Sequence, residues 1–116
     1  MKRVFITQSP MRRNLNGELV HMYDLTPARV YGNLEILLPA GPVVIDTESA
    51  SKTLRQRLGG FTPDDHLLCL GDPVIIAAAS AMVADINGGI IPLLVWDRQQ
   101  RLYLSVRIDI HQRLVI

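Results

Sequence analysis

Apolar and polar positions alternate without a break from Leu102 to Ile110. Leu102, Leu104, Val106, Ile108 and Ile110 fall on one side, and Tyr103, Ser105, Arg107 and Asp109 on the other. A period of two marks a strand with one buried face, so the five aliphatic residues are expected to face the core. "IIPLLVW" precedes "DRQQ" and this segment, which predicts an antiparallel hairpin turning through Asp97 to Arg101. Pro92 cannot donate to a ladder and is expected at a strand start or on an edge.

Elsewhere the period lengthens. In "ESASKTLRQRLGG", Ala50, Leu54 and Leu58 recur every four residues, the inward stripe of a helix with Lys52, Arg55 and Gln56 outward. Asp46 or Thr47 is placed to cap it, Glu48 sits in its first turn, Arg55 and Arg57 in its last, and Gly59 follows as a stop. Asp72 as cap and Pro73 at the first helical position open a second helix, "PVIIAAASAMVADIN", residues 73–87, stopped by Gly88 and Gly89. Only Ser80 and Asp85 interrupt its apolar surface, so it is expected to be covered on more than one side.

The remaining segments are short. "RVFIT" (Arg3 to Thr7) and "HLLCLG" read as strands, the latter buried, and Met11 to Asp24 suits an ordered loop or a short hairpin around "NLNG". Thr26 before Pro27 predicts one helical turn ended by Gly32. "NLEILLP" and Pro42 to Asp46 read as two strands joined as a hairpin at Ala40-Gly41. This order predicts a single α+β domain over residues 1–116. Its sheet is mostly antiparallel or mixed, of about five to six strands, with two helices packed on one face and a βαβ crossover from Leu67 to Val95.

Composition narrows the class. An apolar fraction of 48% and a mean hydropathy of +0.20 suit a folded core and not a disordered chain. Cys69 is alone, which excludes an internal disulfide or a cysteine-based zinc site and fits the reducing cytoplasm. No apolar run approaches the roughly 20 residues needed to cross a bilayer, and the amino-terminal apolar segment is too short for a secretion signal. Net charge is only +1, but it is unevenly spread. Residues 1–31 carry five basic and two acidic groups, residues 98–116 four and one, and residues 32–97 three and eight. The two basic ends would form one face if they meet in space.

The candidate chemistry is sparse. The turn Gly71-Asp72-Pro73 stands where a helix amino terminus could hold an anion, but Asp72 already puts a carboxylate there and Pro73 removes a donor. A cap is therefore expected, and no glycine-rich nucleotide loop is present. Asp64, Asp65, Asp72 and Asp97 match no metal-loop spacing and are expected to be solvated turn carboxylates. His21, His66 and His111 have no partner motif, Cys69 is expected to be a small core residue, and Ser80 lies in no nucleophile elbow. No catalytic residue, metal site or cofactor is expected. Arg12 and Arg13, Lys52 and Arg55, and Arg98 and Arg101 form basic clusters, and Trp96 and Tyr103 flank the hairpin loop as a cross-strand or diagonal pair.

Four stretches, "QSPMRR", "YDLTPARVYG", "DDHLLCLGDPVIIAAASAM" and "LLVWDRQQRLY", together resemble a family of small uncharacterised proteins encoded by tailed bacteriophages. The resemblance implies a setting, the cytoplasm of an infected bacterium, and carries over no catalytic residue. In the setting that the resemblance implies, the missing catalytic constellation, the small size, the segregated charge and the over-apolar helix point to a non-enzymatic accessory protein that binds a host or phage protein. Arg12, Arg13, Trp96, Arg98, Arg101 and Tyr103 are the partner-binding candidates, because tryptophan, tyrosine and arginine dominate interface hot spots. The over-apolar second helix suggests a homodimer. A nucleic-acid regulator using the basic ends, and a nucleotide binder or enzyme at residues 71–73, are the alternatives.

Overall fold

A computed structural model describes residues 1–41 and 46–112. Its main sheet has five strands: β1 (Arg3–Gln8), β4 (Asn33–Leu38), β5 (His66–Leu68), β6 (Ile90–Asp97) and β7 (Leu102–Asp109), in the spatial order β4-β1-β5-β6-β7. β1 pairs in parallel with both β4 and β5, β5 pairs in parallel with β6, and β6 with β7 is antiparallel. The sheet is therefore mixed and the class α+β. Between β1 and β4 lie the small antiparallel pair β2 (Met11–Arg13) and β3 (Leu19–His21), then a 3-10 helix, Thr26–Tyr31. The expected hairpin around "NLNG" is thus present; Asn14 Oδ1 shapes its turn by accepting the main-chain N–H of Asn16 and Glu18. The expected strand from Pro42 falls on residues 42–45, outside the described residues.

Two helices cover one face. α1 (Thr47–Leu58) starts where Asp46 accepts the Ser49 N–H at 3.0 Å, and it buries Ala50, Leu54 and Leu58. α2 (Pro73–Ile86) starts where Asp72 accepts the Val74 N–H at 2.9 Å. They pack with Phe5, Leu37, Leu67 and Ile91 of the sheet, and each fully buried side chain of this size contributes about 1.5–3 kcal/mol. On the other face Val4, Ile6, Leu68, Leu94 and Tyr103 lie under Leu25, Ala28 and Tyr31 of the 3-10 segment. Thr26 does not cap that segment; the Asp24 carboxylate accepts the Thr26 N–H instead.

Three expectations are corrected. The aliphatic row of β7 is not in the core: Leu102, Leu104, Val106, Ile108 and Ile110 are 37% to 58% exposed. They share a face with α2, but α2 lies over β1 and β6, and β7 is the next strand out, at the sheet edge. Tyr103, on the opposite side of the strand, is the buried one at 5% exposure, because Tyr31 reaches over it and donates its hydroxyl to the Tyr103 carbonyl at 2.8 Å. Asp65 is no solvated turn carboxylate. It is fully buried and accepts from the Arg3 N–H (2.9 Å), the Thr62 N–H (2.8 Å), the Thr62 hydroxyl (3.2 Å) and Arg3 Nη2 (3.3 Å). Pro92 is neither at a strand start nor on an edge strand. It is the third residue of β6, where the register with β5 is confined to Leu67 opposite Leu93.

Candidate functional site

Open sheets with parallel strands bind ligands at their carboxyl ends, where the strand order reverses. Here the reversal lies between β1, whose chain leaves toward β4, and β5 on the other side of β1. The sequence at that point, Thr7-Gln8-Ser9, is polar yet buried. Thr7 Oγ1 accepts the Leu70 N–H at 2.7 Å and also bonds the Leu70 carbonyl. Gln8 Nε2 donates to the carbonyls of Pro39 (2.9 Å) and Gly41 (2.8 Å), and its Oε1 accepts the Asp72 N–H at 2.6 Å. The first-turn donors of α2 are also engaged: Val74 N–H on Asp72 Oδ1, Ile75 N–H on the Asp72 carbonyl, and Pro73 without one. One glutamine side chain thus ties three strand ends together, beside a shallow opening of about 340 Å³ lined by Gly41, Gly71, Asp72 and Pro73, and the turn Gly71-Asp72-Pro73 serves as a helix start.

A wider opening lies beside it. β6 and β7 extend past the carboxyl end of short β5, and the notch this leaves is a cleft of about 640 Å³. Leu68, Cys69 and Leu70 form its floor and Leu93 to Trp96 one wall. Met22, Tyr23 and Asp24 form the other, with Arg98 at the hairpin turn. Trp96 stands directly opposite Tyr103 in the ladder, with ring centroids 4.9 Å apart at 63°, the edge-to-face arrangement that aromatic quadrupoles favour. Trp96 remains 41% exposed and Tyr23 49%. A neighbouring cavity shares Met22, Tyr23 and Asp24 and is lined by Arg12, His21 and Arg29.

Of the six partner-binding candidates, the structure brings Trp96, Arg98 and Tyr103 to the cleft and Arg12 to the far side of its Met22–Asp24 wall. Arg13 and Arg101 are not brought to it. Arg13 donates to the Gly17 carbonyl at 2.7 Å and so serves the hairpin turn. Arg101 closes the β6–β7 turn in a left-handed conformation (φ 55°), its N–H on the Asp97 carbonyl. Tyr103 contributes from beneath the surface, and Met22, Tyr23 and Asp24 are the wall that sequence reasoning missed. The exposed aromatic in "HMYD" was their only signal.

The remaining chemistry is modest. Burial pushes the Cys69 thiol up, with a weak opposing contact from the Ser80 hydroxyl at 3.8 Å, which suits an inert thiol. Asp24 is held below the usual carboxylate range by its bond from Thr26; burial, then the Asp24 charge, raises the Tyr103 phenol. Ser9, 4% exposed, meets His21 Nδ1 at 2.5 Å, a pair no sequence motif announces; it pins the β2–β3 hairpin to the end of β1. Among the described residues no three His, Cys, Asp or Glu side chains converge to hold a metal ion. No described helix is long and apolar enough to cross a membrane.

His66 yields a pH prediction. Its Nε2 lies 2.9 Å from Ser105 Oγ, its ring packs against Tyr31 at 5.1 Å, and its Nδ1 is buried with no hydrogen-bond partner among the described residues. The tautomer with the proton on Nε2 avoids an orphaned buried donor. Burial lowers its pKa; the Asp65 charge opposes this, and Lys2 and Arg107 add to it. The unfolded ring therefore binds a proton that the folded ring resists. Stability from this group falls as pH drops below about 6.5 and levels off below the lowered folded value. Urea midpoints at pH 7.5 and 5.5 are expected to differ more for the wild type than for His66→Gln; equal differences would contradict the assignment.

A family model described as Phage Pam3 gp32-like protein matches residues 2–110. No curated protein and no solved structure matches.

Proposed function

The chain belongs to the Phage Pam3 gp32-like protein family, and from that premise we propose that it is a bacteriophage accessory protein. In this reading it works in the cytoplasm of the infected cell by binding another protein, and not by catalysis. The observation that carries the reading is the cleft at the carboxyl ends of β5 and β6. It offers an apolar floor, a partly exposed tryptophan steadied by a buried tyrosine, and Arg98 at the rim. That is the make-up of an interface hot spot, in which a desolvated aromatic pocket supplies most of the binding energy. The occupant it fits is an apolar side chain of a partner protein, with an acidic group alongside for Arg98.

Trp96 is the single tryptophan of the chain, so its emission reports directly on occupancy. Affinity capture from infected cells with the wild type and with Trp96→Ala is the test. Loss of a hot-spot residue costs about 2 kcal/mol or more, roughly 30-fold in affinity. A protein recovered by the wild type should be largely lost with Trp96→Ala while the circular dichroism spectrum is unchanged. Equal recovery by both, or recovery of nothing, would contradict the reading.

A second reading uses the same surface. Tyr23 and Trp96 are exposed, and Arg12 and Arg98 stand on either side of the Met22–Asp24 wall, a combination that could stack and neutralise a single nucleic-acid strand. The net charge of +1 gives it little long-range attraction. Oligonucleotide binding that collapses between about 50 and 200 mM salt would favour it over a protein partner.

A further inference from the structure

We propose that the cavity beyond the Met22–Asp24 wall binds a nucleoside monophosphate, its base on the apolar floor and its phosphate held by Arg12 and Arg29. The cavity differs from the cleft in its floor and its cations, and neither Trp96 nor Arg98 lines it. Its floor is the face of β1 and β4 turned away from the two helices. Ile6 and Ile36 are register partners there, Leu34 stands two residues earlier in β4, and Ile36 is left 41% exposed. The 3-10 segment forms one wall. Such a helix stacks residues three apart, and Leu25, Ala28 and Tyr31 are the row packed on the sheet. Thr26 and Arg29 form the next row, and both line the cavity. The β2–β3 hairpin supplies Arg12 and His21. The buried Ser9 hydroxyl holds His21 Nδ1 at 2.5 Å, so Nε2 is the edge of the ring left to meet a ligand.

Charge and size select the ligand. Arg3, Arg13, Arg55 and Arg57 each hold a carbonyl or carboxylate of the fold. Arg12 and Arg29 make no hydrogen bond and no ion pair among the described residues, so the charge that answers them comes from outside the chain. A guanidinium fork matches the oxygens of a carboxylate or a phosphate in pairs. One fork fills the two oxygens of a carboxylate, whereas a phosphate monoester offers three terminal oxygens to two forks and the His21 ring. Asp24 is the one carboxylate in the lining, and its Oδ1 accepts the Thr26 N–H at 3.0 Å. It repels a ligand that is anionic throughout but accepts from sugar hydroxyls or base N–H groups, which favours a molecule with a single anionic end. Tyr23, 49% exposed, adds an aromatic ring on which a base can stack. The volume, about 730 Å³, lies in the range of small-molecule sites, which are mostly apolar with a few placed polar groups.

The test is calorimetric titration of the full chain with AMP, GMP, CMP and UMP, with the parent nucleosides and inorganic phosphate as partial ligands. At least one nucleotide is expected to bind with a Kd below about 1 mM, and its nucleoside and inorganic phosphate each at least about tenfold more weakly. Arg12→Gln and Arg29→Gln each remove a charge-assisted hydrogen bond and are expected to weaken binding about tenfold or more. Arg101→Gln, which removes the same charge away from the cavity, should leave it unchanged. In the wild type the Ile6 and Ile36 methyl resonances should shift with added nucleotide, and they decide alone should a variant fail to fold. No binding of any of the nucleotides at about 5 mM, inorganic phosphate bound as tightly as the nucleotide, or methyl resonances that do not move would overturn the proposal. Affinity that survives both arginine substitutions, or that falls equally with Arg101→Gln, would also overturn it.

Discussion

Replacing Asp65 with alanine is expected to lower folding stability by about 3 kcal/mol, because its fully buried carboxylate answers four donors. The Arg3 and Thr62 amide N–H groups lose their acceptors, each at about 1–3 kcal/mol. Arg3 is less affected, since its side chain is 25% exposed and Nη2 also bonds the Gly60 carbonyl at 2.5 Å. That partial rehydration keeps the loss below the upper end for a broken buried pair. Asp65→Asn retains the shape and one acceptor oxygen but turns an NH2 toward a donor, and roughly half the loss is expected. With a urea slope of about 1–3 kcal/mol per molar, the alanine variant should unfold at least 1 M earlier. A midpoint within about 0.3 M of wild type would show that Asp65 does not hold β1 to the turn before β5.

Gly71→Ala carries a comparable penalty for a different reason. Gly71 has φ +92°, and a Cβ there would run into Gln8 Oε1 and lie 2.6 Å from Gln8 Cβ. The left-handed backbone alone costs about 1–2 kcal/mol for a residue with a Cβ. Displacing Gln8 then breaks its bonds to the Pro39 and Gly41 carbonyls and to the Asp72 N–H, for a total loss of about 3 kcal/mol. Gly17 is the control. It has φ +78°, and a Cβ added there would meet nothing within 4 Å, so Gly17→Ala should lose only about 1 kcal/mol. Thermal unfolding of the two variants side by side isolates the contribution of the Gln8 hydrogen bonds; equal losses would mean that they contribute nothing.

Local signals were readable because their chemistry is local. Asp46 before Glu48 and Asp72 before Pro73 mark helix starts within four residues, and the alternation around "DRQQ" marks the hairpin. A period of two names the residues that share a face of β7, but it does not say which face another element covers. That depends on where α2 and the 3-10 segment lie, and so the aliphatic row is exposed and Tyr103 buried. Parallel pairing of β1 with β4 and β5 joins residues about 30 and 60 positions apart through crossovers, with no turn sequence to announce it. Asp65 sits in "FTPDD", which composition alone assigns to a solvated turn. Its principal partner, Arg3, lies 62 residues away. Half of the candidate surface, Trp96, Arg98 and Tyr103, was legible because one hairpin carries all three, whereas the Met22–Asp24 wall reaches the cleft only through the tertiary fold.

A photo-crosslinking residue placed at Arg98, on the rim of the cleft, and separately at Glu48, on the exposed side of α1, asks in infected cells what occupies the cleft. The protein-binding reading predicts a discrete protein adduct from position 98 that is absent from position 48. Identical adducts from both positions, or nucleic acid alone from position 98, would contradict it.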